Sequence, residues 1–297
     1  MENTRGAGLM VAAMLAFAIE DLFIKKLAVA GVPLGQILLF LGLGGGLVFS
    51  LVVRARGEVL ISKVLLRRGV MLRNIGEIIG TLGFVSAIAL TPISSASAIF
   101  QANPLAVTLG AALFLGVPVG WRRWTAIGVG FAGVLLIVRP GAADFDPRSI
   151  YAVIAVFGLA LRDLATRNVA REVSSMQLSA WGFATLVPAG LFLFWLTGTA
   201  PITLLPWQWG FMAAALLCGL LGYYAITAAS RLGDVAFVTS FRYTRLIFAL
   251  IIGTLFFGER PDLLTLLGSV LIVGSGLYSL LRERRLARAA REATPVA

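Results

Sequence analysis

The 297 residues are 59% apolar and 13% charged, with a mean hydropathy of +0.94, whereas a soluble domain carries about 45–50% apolar and about 25% charged residues. The single cysteine, Cys218, excludes an intramolecular disulfide framework, and the lack of histidine removes the commonest general base and transition-metal ligand. The formal net charge of +11 does not indicate a nucleic-acid partner, because the basic residues are spread over short links between apolar runs and form no soluble basic face.

Crossing about 30 Å of hydrocarbon takes about 20 apolar residues in a helix. Ten runs meet that length, at 8–28, 33–53, 71–90, 93–115, 122–138, 150–170, 175–196, 207–229, 235–257 and 262–281. The links between them are too short for a soluble domain. The first run, with Arg5 ahead of it and small residues near Ala16 and Ala18, has the look of a signal peptide; its internal repeat, given below, predicts that it is retained. Gly42, Gly44, Gly45 and Gly46 are predicted to soften the second run, and Gly76-xxx-Gly80 to bring the third close to a neighbour. Pro104 and Pro188 are predicted to kink the fourth and seventh runs. Trp121, Trp124, Trp195, Trp207 and Trp209 fall at run ends and read as interfacial anchors, while Trp181 is open to a cavity-facing role.

Basic residues set the orientation. Arg54, Arg56, Lys63, Arg67, Arg68, Arg73, Arg122, Arg123, Arg167, Arg171, Arg231 and the arginine-rich end of the chain fall on one side of a ten-span arrangement, together with Arg5. The other side holds Lys25, Lys26, Arg139, Arg148 and Arg260. The positive-inside bias predicts a multi-pass protein of a bacterial-type inner membrane with both termini cytoplasmic.

The chain repeats at an offset of 142 residues. Ala18, Asp21 and Leu22 return as Ala160, Asp163 and Leu164; Lys25 returns as Arg167; Gly80, Ala87 and Leu90 return as Gly222, Ala229 and Leu232; Leu113–Gly116 returns as Leu255–Gly258. Five spans per repeat turn the second copy upside down in the bilayer, an architecture common among secondary transporters. The predicted fold is therefore all-α, with ten transmembrane helices in two inverted five-helix repeats. The predicted domains are 1–140 and 141–281, followed by a basic cytoplasmic tail at 282–297.

Two stretches carry a family resemblance. One runs from Ala89 to Val138, with Thr91-Pro92-Ile93-Ser94-Ser95-Ala96-Ser97-Ala98, Pro104, Leu113-Phe114-Leu115-Gly116 and Gly128-Val129-Gly130-Phe131-Ala132-Gly133-Val134. The other runs from Ala228 to Leu281, with Phe256-Phe257-Gly258-Glu259-Arg260-Pro261 and Gly268. They resemble the drug/metabolite transporter superfamily in its ten-helix EamA-type branch, with aromatic amino-acid exporters as the suspected group. The Gly-Glu step typical of that family survives in the second copy alone, since Val117 replaces the acid in the first. The resemblance implies a carrier for small metabolites, often an exporter.

Arg242 and Arg245 are the strongest candidates for a substrate site. They lie i, i+3 on the ninth run, and intramembrane charge must face protein or a wet cavity. Their repeat mates are Phe100 and Asn103, so the symmetry breaks where an asymmetric substrate would bind. Two readings stay open: an anchor for a substrate carboxylate, or a buried ion pair with Glu20, Asp21, Glu77 or Asp163. Phe100, Gln101, Asn103, Tyr223, Tyr224, Phe241 and Tyr243 are predicted to supply ring surfaces and polar ends around the same cargo. Asp21 and Lys25 are spaced i, i+4, as are Asp163 and Arg167, which predicts helical salt bridges with a gating or coupling role, Glu20 included, or a static one. Arg73 and Glu77 share the spacing and are predicted to pair structurally, with Glu77 also a coupling or gating candidate. Glu259 and Asp262 flank Pro261 and are predicted to complement a helix start.

No catalytic residue, metal ligand or cofactor is predicted, and the chain is expected not to be an enzyme. The expected partners are a small-molecule substrate and the lipid bilayer, with no nucleic acid, for a protein acting as a monomer. The predicted function is export of small amphipathic metabolites, above all aromatic or other apolar amino acids, by alternating access. The alternatives are an uptake carrier for a vitamin or nucleoside-like metabolite and, from a different class, a membrane-embedded enzyme or channel.

Overall fold

The computed structural model describes residues 2–143, 145–167, 169, 172–229, 232 and 235–292. The predicted basic residues Arg171 and Arg231 lie outside the described residues, as does the side chain of Arg167. The chain forms α1 (Glu2–Val29), α2 (Leu34–Ala55), α3 (Arg68–Leu90), α4 (Ile93–Phe100), α5 (Asn103–Phe114), α6 (Trp121–Val138), α7 (Ile150–Arg167), α8 (Ser175–Thr197), α9 (Pro206–Ala229), α10 (Val235–Ser240), α11 (Thr244–Phe257) and α12 (Leu263–Glu292). Ten segments are long and apolar enough to cross a membrane; α4 with α5 makes the fourth, and α10 with α11 the ninth.

Helix neighbours follow the repeat. The 142-residue offset turns the pair α3–α7 into α9–α1 and leaves α2–α8 and α6–α12 paired with themselves; these four pairs make the most extensive helix contacts in the bundle. The helices approach closely because small residues meet. Gly76, Gly80 and Gly83 of α3 lie against the backbone of α7, where a Cβ at Gly76 would stand 2.6 Å from the Arg162 nitrogen. Gly35 on α2 faces Gly190 on α8, and Gly133 on α6 faces Gly268 on α12.

Both repeats end their fourth helix in the same way. Gly116 (φ +63°) and its mate Gly258 (φ +64°) take the left-handed conformation, which glycine adopts without steric cost. The next residue then closes the helix in each copy, with Val117 N–H donating to Ala111 O at 3.2 Å and Glu259 N–H donating to Gly253 O at 3.0 Å. Two identically built helix ends now carry different side chains, valine in one and glutamate in the other.

Several expectations need correction. The fourth span is not one bent helix but is interrupted at Gln101–Ala102, and the ninth changes to a 3-10 turn at Phe241–Tyr243. These are repeat-related positions, and Pro104 sits at the start of α5, where its missing N–H costs nothing. α2 is continuous through its glycines, with Gly42, Gly45 and Gly46 against α8 and Gly44 against Leu216 of α9, and α8 is continuous through Pro188. The last helix continues to Glu292, so most of the expected tail is helical. Trp181 is buried and donates its indole N–H to Leu60 O at 2.9 Å, fixing the α2–α3 link to α8. Trp121, Trp195, Trp207 and Trp209 are exposed at helix ends, as interfacial anchors require.

Candidate functional site

A cavity of about 250 Å³ lies in the middle of the bundle between the repeats. Both helix interruptions face it. The side chain of Gln101 crosses from one to the other and donates to Arg242 O at 3.2 Å. Broken helices are tolerated at membrane depth where the exposed backbone lines a cavity or is paired by protein. Arg242, Tyr243, Arg245, Phe100, Gln101, Asn103 and Tyr223 all line this space, as do Glu20, Asp21 and Glu77. Tyr224 does not; it is 67% exposed on the outer surface of α9. Phe241 turns away and packs edge-on against Phe237 at 5.3 Å. Asp163 stands behind the wall, and Lys25 lies in a separate cluster described below.

The two candidate arginines differ. Arg245 is engaged: its Nη2 meets Asp21 Oδ2 at 2.7 Å, and its guanidinium lies 4.8 Å from the Phe84 ring centre, 5.2 Å from Phe100 and 5.4 Å from Phe17. A desolvated cation caged by three rings and a carboxylate is held in place. Arg242 has no ion pair among the described residues, and its Nε is buried without a hydrogen-bond partner. The predicted i, i+4 pair of Asp21 with Lys25 does not form, because Asp21 finds Arg245 on α11 and Lys25 finds Glu259 in the α11–α12 link.

The second copy of the cluster is a continuous network. Arg162 pairs with Asp163 at 2.8 Å and with Glu77 at 3.2 Å, and Glu77 also takes Arg73 at 3.1 Å, the expected i, i+4 pair. Asn103 Nδ2 donates to Asp163 Oδ2 at 3.2 Å. This contact is the repeat mate of Arg245 with Asp21: residue 21 corresponds to 163 and residue 103 to 245. Sequence reading missed Phe17 and Phe84 as platforms for Arg245, since a ring on α1 or α3 carries no local mark of facing an arginine on α11.

Lys25 belongs to a plug at the bundle face opposite the termini. Its Nζ donates to Glu259 Oε1 and to Thr91 O, each at 2.8 Å. Glu259 also accepts from Ile93 N–H at 2.7 Å, Ser94 N–H at 3.0 Å and the Ser94 hydroxyl at 2.7 Å. It thus caps the first turn of α4, not its own helix as predicted. Asp262 does cap its own helix, accepting from Thr265 N–H at 2.9 Å, and it pairs with Arg139. Burial pushes the Glu259 carboxyl up, but the hydrogen bonds from Lys25, Ser94 and Ile93 prevail and hold it below the usual range. Arg139 and Thr265 hold Asp262 down at about 2.

Two inverted five-helix repeats around a central cavity are an architecture common among membrane transporters. Within that class, the chain belongs to the EamA-like transporter family, whose profile matches it twice, over residues 4–139 and 148–281. It is similar to a pseudopaline exporter of Pseudomonas aeruginosa, with 32% identity over 90% of this chain and 93% of the relative. It is also similar to a riboflavin transporter of Rhizobium johnstonii, with 30% identity over 71% of this chain and 69% of the relative. An S-adenosylmethionine uptake transporter of Rickettsia bellii is 26% identical over 72% and 73% of the two chains. A solved crystal structure with 20% identity shares the fold, covering 95% of this chain and 98% of that one with a TM-score of 0.59. The protein is a multi-pass membrane transporter.

Proposed function

We propose that this transporter is a monomeric carrier of the bacterial inner membrane, with both termini cytoplasmic, that exports small amphipathic metabolites, above all aromatic or other apolar amino acids. The observation that carries the reading is the cavity itself: Arg242, a guanidinium with no ion pair among the described residues, lines it together with the rings of Phe84, Phe100, Phe183 and Tyr223. Arg242 takes the substrate carboxylate and the rings take the side chain. Small-molecule pockets span about 300–1,000 Å³, so a space of about 250 Å³ suits a one-ring or two-ring metabolite. The similarity to an exporter over nine-tenths of the chain supports the direction. Alternating access proceeds by rocking of one repeat against the other, with the Lys25–Glu259 plug closing the face opposite the termini. No covalent chemistry is involved.

A second reading, uptake of a vitamin or nucleoside-like metabolite, rests on the similarity to riboflavin and S-adenosylmethionine transporters. Counterflow in proteoliposomes decides between them. Vesicles loaded with unlabelled L-phenylalanine or L-tryptophan should accumulate the labelled amino acid. Exchange of riboflavin with no exchange of either amino acid would replace the first reading by the second.

A further inference from the structure

Among the described residues, every charged side chain at the cavity has an ion-pair partner except two, Glu20 on α1 and Arg242 in the 3-10 turn of the ninth span. The pairs Arg245–Asp21, Arg162–Asp163 and Arg73–Glu77 account for the rest. Among the described residues Glu20 has neither an ion pair nor a hydrogen bond, although it lines the cavity. The repeat shows why. The mate of Glu20 is Arg162, which meets Glu77 across the α3–α7 contact. The mate of Glu77 is Gly219 on α9, and Glu20 lies directly over it: a Cβ there would stand 2.6 Å from Glu20 Oε1. The position that supplies a counter-charge in one repeat is empty of side chain in the other. Likewise Arg242 occupies the place of Phe100, so its charge has no inherited partner.

The four acids (Glu20, Asp21, Glu77, Asp163) balance the four arginines (Arg73, Arg162, Arg242, Arg245), so the empty site is neutral by formal charge. A cargo with one net charge would leave that charge inside the bilayer, where it is costly. A zwitterion leaves the site neutral and answers both unpaired groups.

We infer that Glu20 and Arg242 are the two poles of a zwitterion subsite: Glu20 receives the ammonium group of the cargo and Arg242 its carboxylate. The two groups belong to opposite repeats. A bound zwitterion therefore ties α1 to the ninth span beside the standing Asp21–Arg245 bridge, and a cargo lacking either charge leaves one pole buried and unanswered. This deepens the carrier reading above but does not need the cargo to be aromatic.

The test uses thermal unfolding of the purified full-length protein with four probes: L-phenylalanine, L-leucine, 3-phenylpropanoate and phenethylamine. A ligand that binds the folded state raises the unfolding temperature with its concentration. L-phenylalanine should act at concentrations at least about tenfold lower than either singly charged analogue. Glu20→Gln should weaken the amino acids about tenfold and leave 3-phenylpropanoate unchanged. Arg242→Gln should weaken them as much and leave phenethylamine unchanged. Equal potency of all aromatic probes on the natural protein, equal loss for all probes in Glu20→Gln, or no protection by either zwitterion would overturn the subsite. Protection by leucine alone, with the charge pattern intact, would keep the subsite and remove the aromatic preference. Since Glu20 has no protein partner, Glu20→Gln should fold; should it not, the glutamate is structural and the subsite is overturned.

Discussion

The two ends of the repeat symmetry axis hold the same contact in different chemistry. Around α7, Arg162, Asp163, Glu77, Arg73 and Asn103 contact one another in one continuous network, in which Asn103 Oδ1 alone has neither a hydrogen bond nor an ion pair among the described residues. Around α1, the equivalent positions give one bridge, Arg245–Asp21, one open acid, Glu20, and a glycine where the network would continue. The backbone arrangement is common to both, so the difference lies in side chains alone. A continuous network holds helices together; an open one is free to be completed by something else. The repeat supplies two equivalent clusters, and the proposed reading makes one the scaffold and the other the site.

The comparison is broken most severely by Glu77→Gln. It strands Arg73 and leaves Arg162 with Asp163 alone, and removing one member of a buried ionic network costs about 3–5 kcal/mol. The expected outcome is a large drop in unfolding temperature with transport lost alongside, while Glu20→Gln at the mated cluster unfolds close to the natural protein. Similar losses for both would erase the distinction between scaffold and site. A gentler probe is a pair of double-mutant cycles followed by thermal unfolding. Asp21→Asn with Arg245→Gln should show a coupling of about 2–3 kcal/mol, and Asp163→Asn with Asn103→Ala about 1 kcal/mol. Inverted magnitudes would mean that the amide contact is the stronger brace.

The plug offers a third contrast, because its repeat mate carries Val117 in place of Glu259. Glu259→Gln in a Cys218→Ser background should raise the labelling rate of Ser95→Cys about three- to tenfold, measured with a membrane-impermeant maleimide. No change would show that the plug does not control access. Since Glu259 is held below the usual carboxylate range, closure is at full strength above that range and weakens as pH falls through the lowered value. Labelling, once divided by the thiolate fraction of the introduced cysteine, should accordingly be flat from pH 6 to 8. The smallest effect is expected at Asp262, which is half-exposed. Its pairing is lost only as pH falls toward about 2, and Asp262→Asn should cost less than about 1 kcal/mol in thermal unfolding.

Much of this was legible in the sequence, for identifiable reasons. Hydropathy fixes the ten crossings because lipid tolerates little else, and the constant offset reveals the repeat. The same offset pairs Arg242 and Arg245 with Phe100 and Asn103, which marks the site by its broken symmetry. The partners were less legible. Local spacing favours Asp21 with Lys25, but Arg245 lies 224 residues away in the chain and reaches Asp21 through the bundle interior. Glu259 sits next to a helix start of its own, yet the unpaired amides of α4 face it more closely. The interruption of the ninth span has no proline to announce it. It is visible through its mate near Pro104, once the two copies are laid over each other.

Glu259 holds the amide hydrogens of Ile93 and Ser94, so on the proposed reading the plug withdraws only by exposing those two hydrogens to solvent. Deuterium uptake at two named backbone sites thereby becomes a clock for each excursion of the pathway, readable in the unlabelled protein with no cargo added.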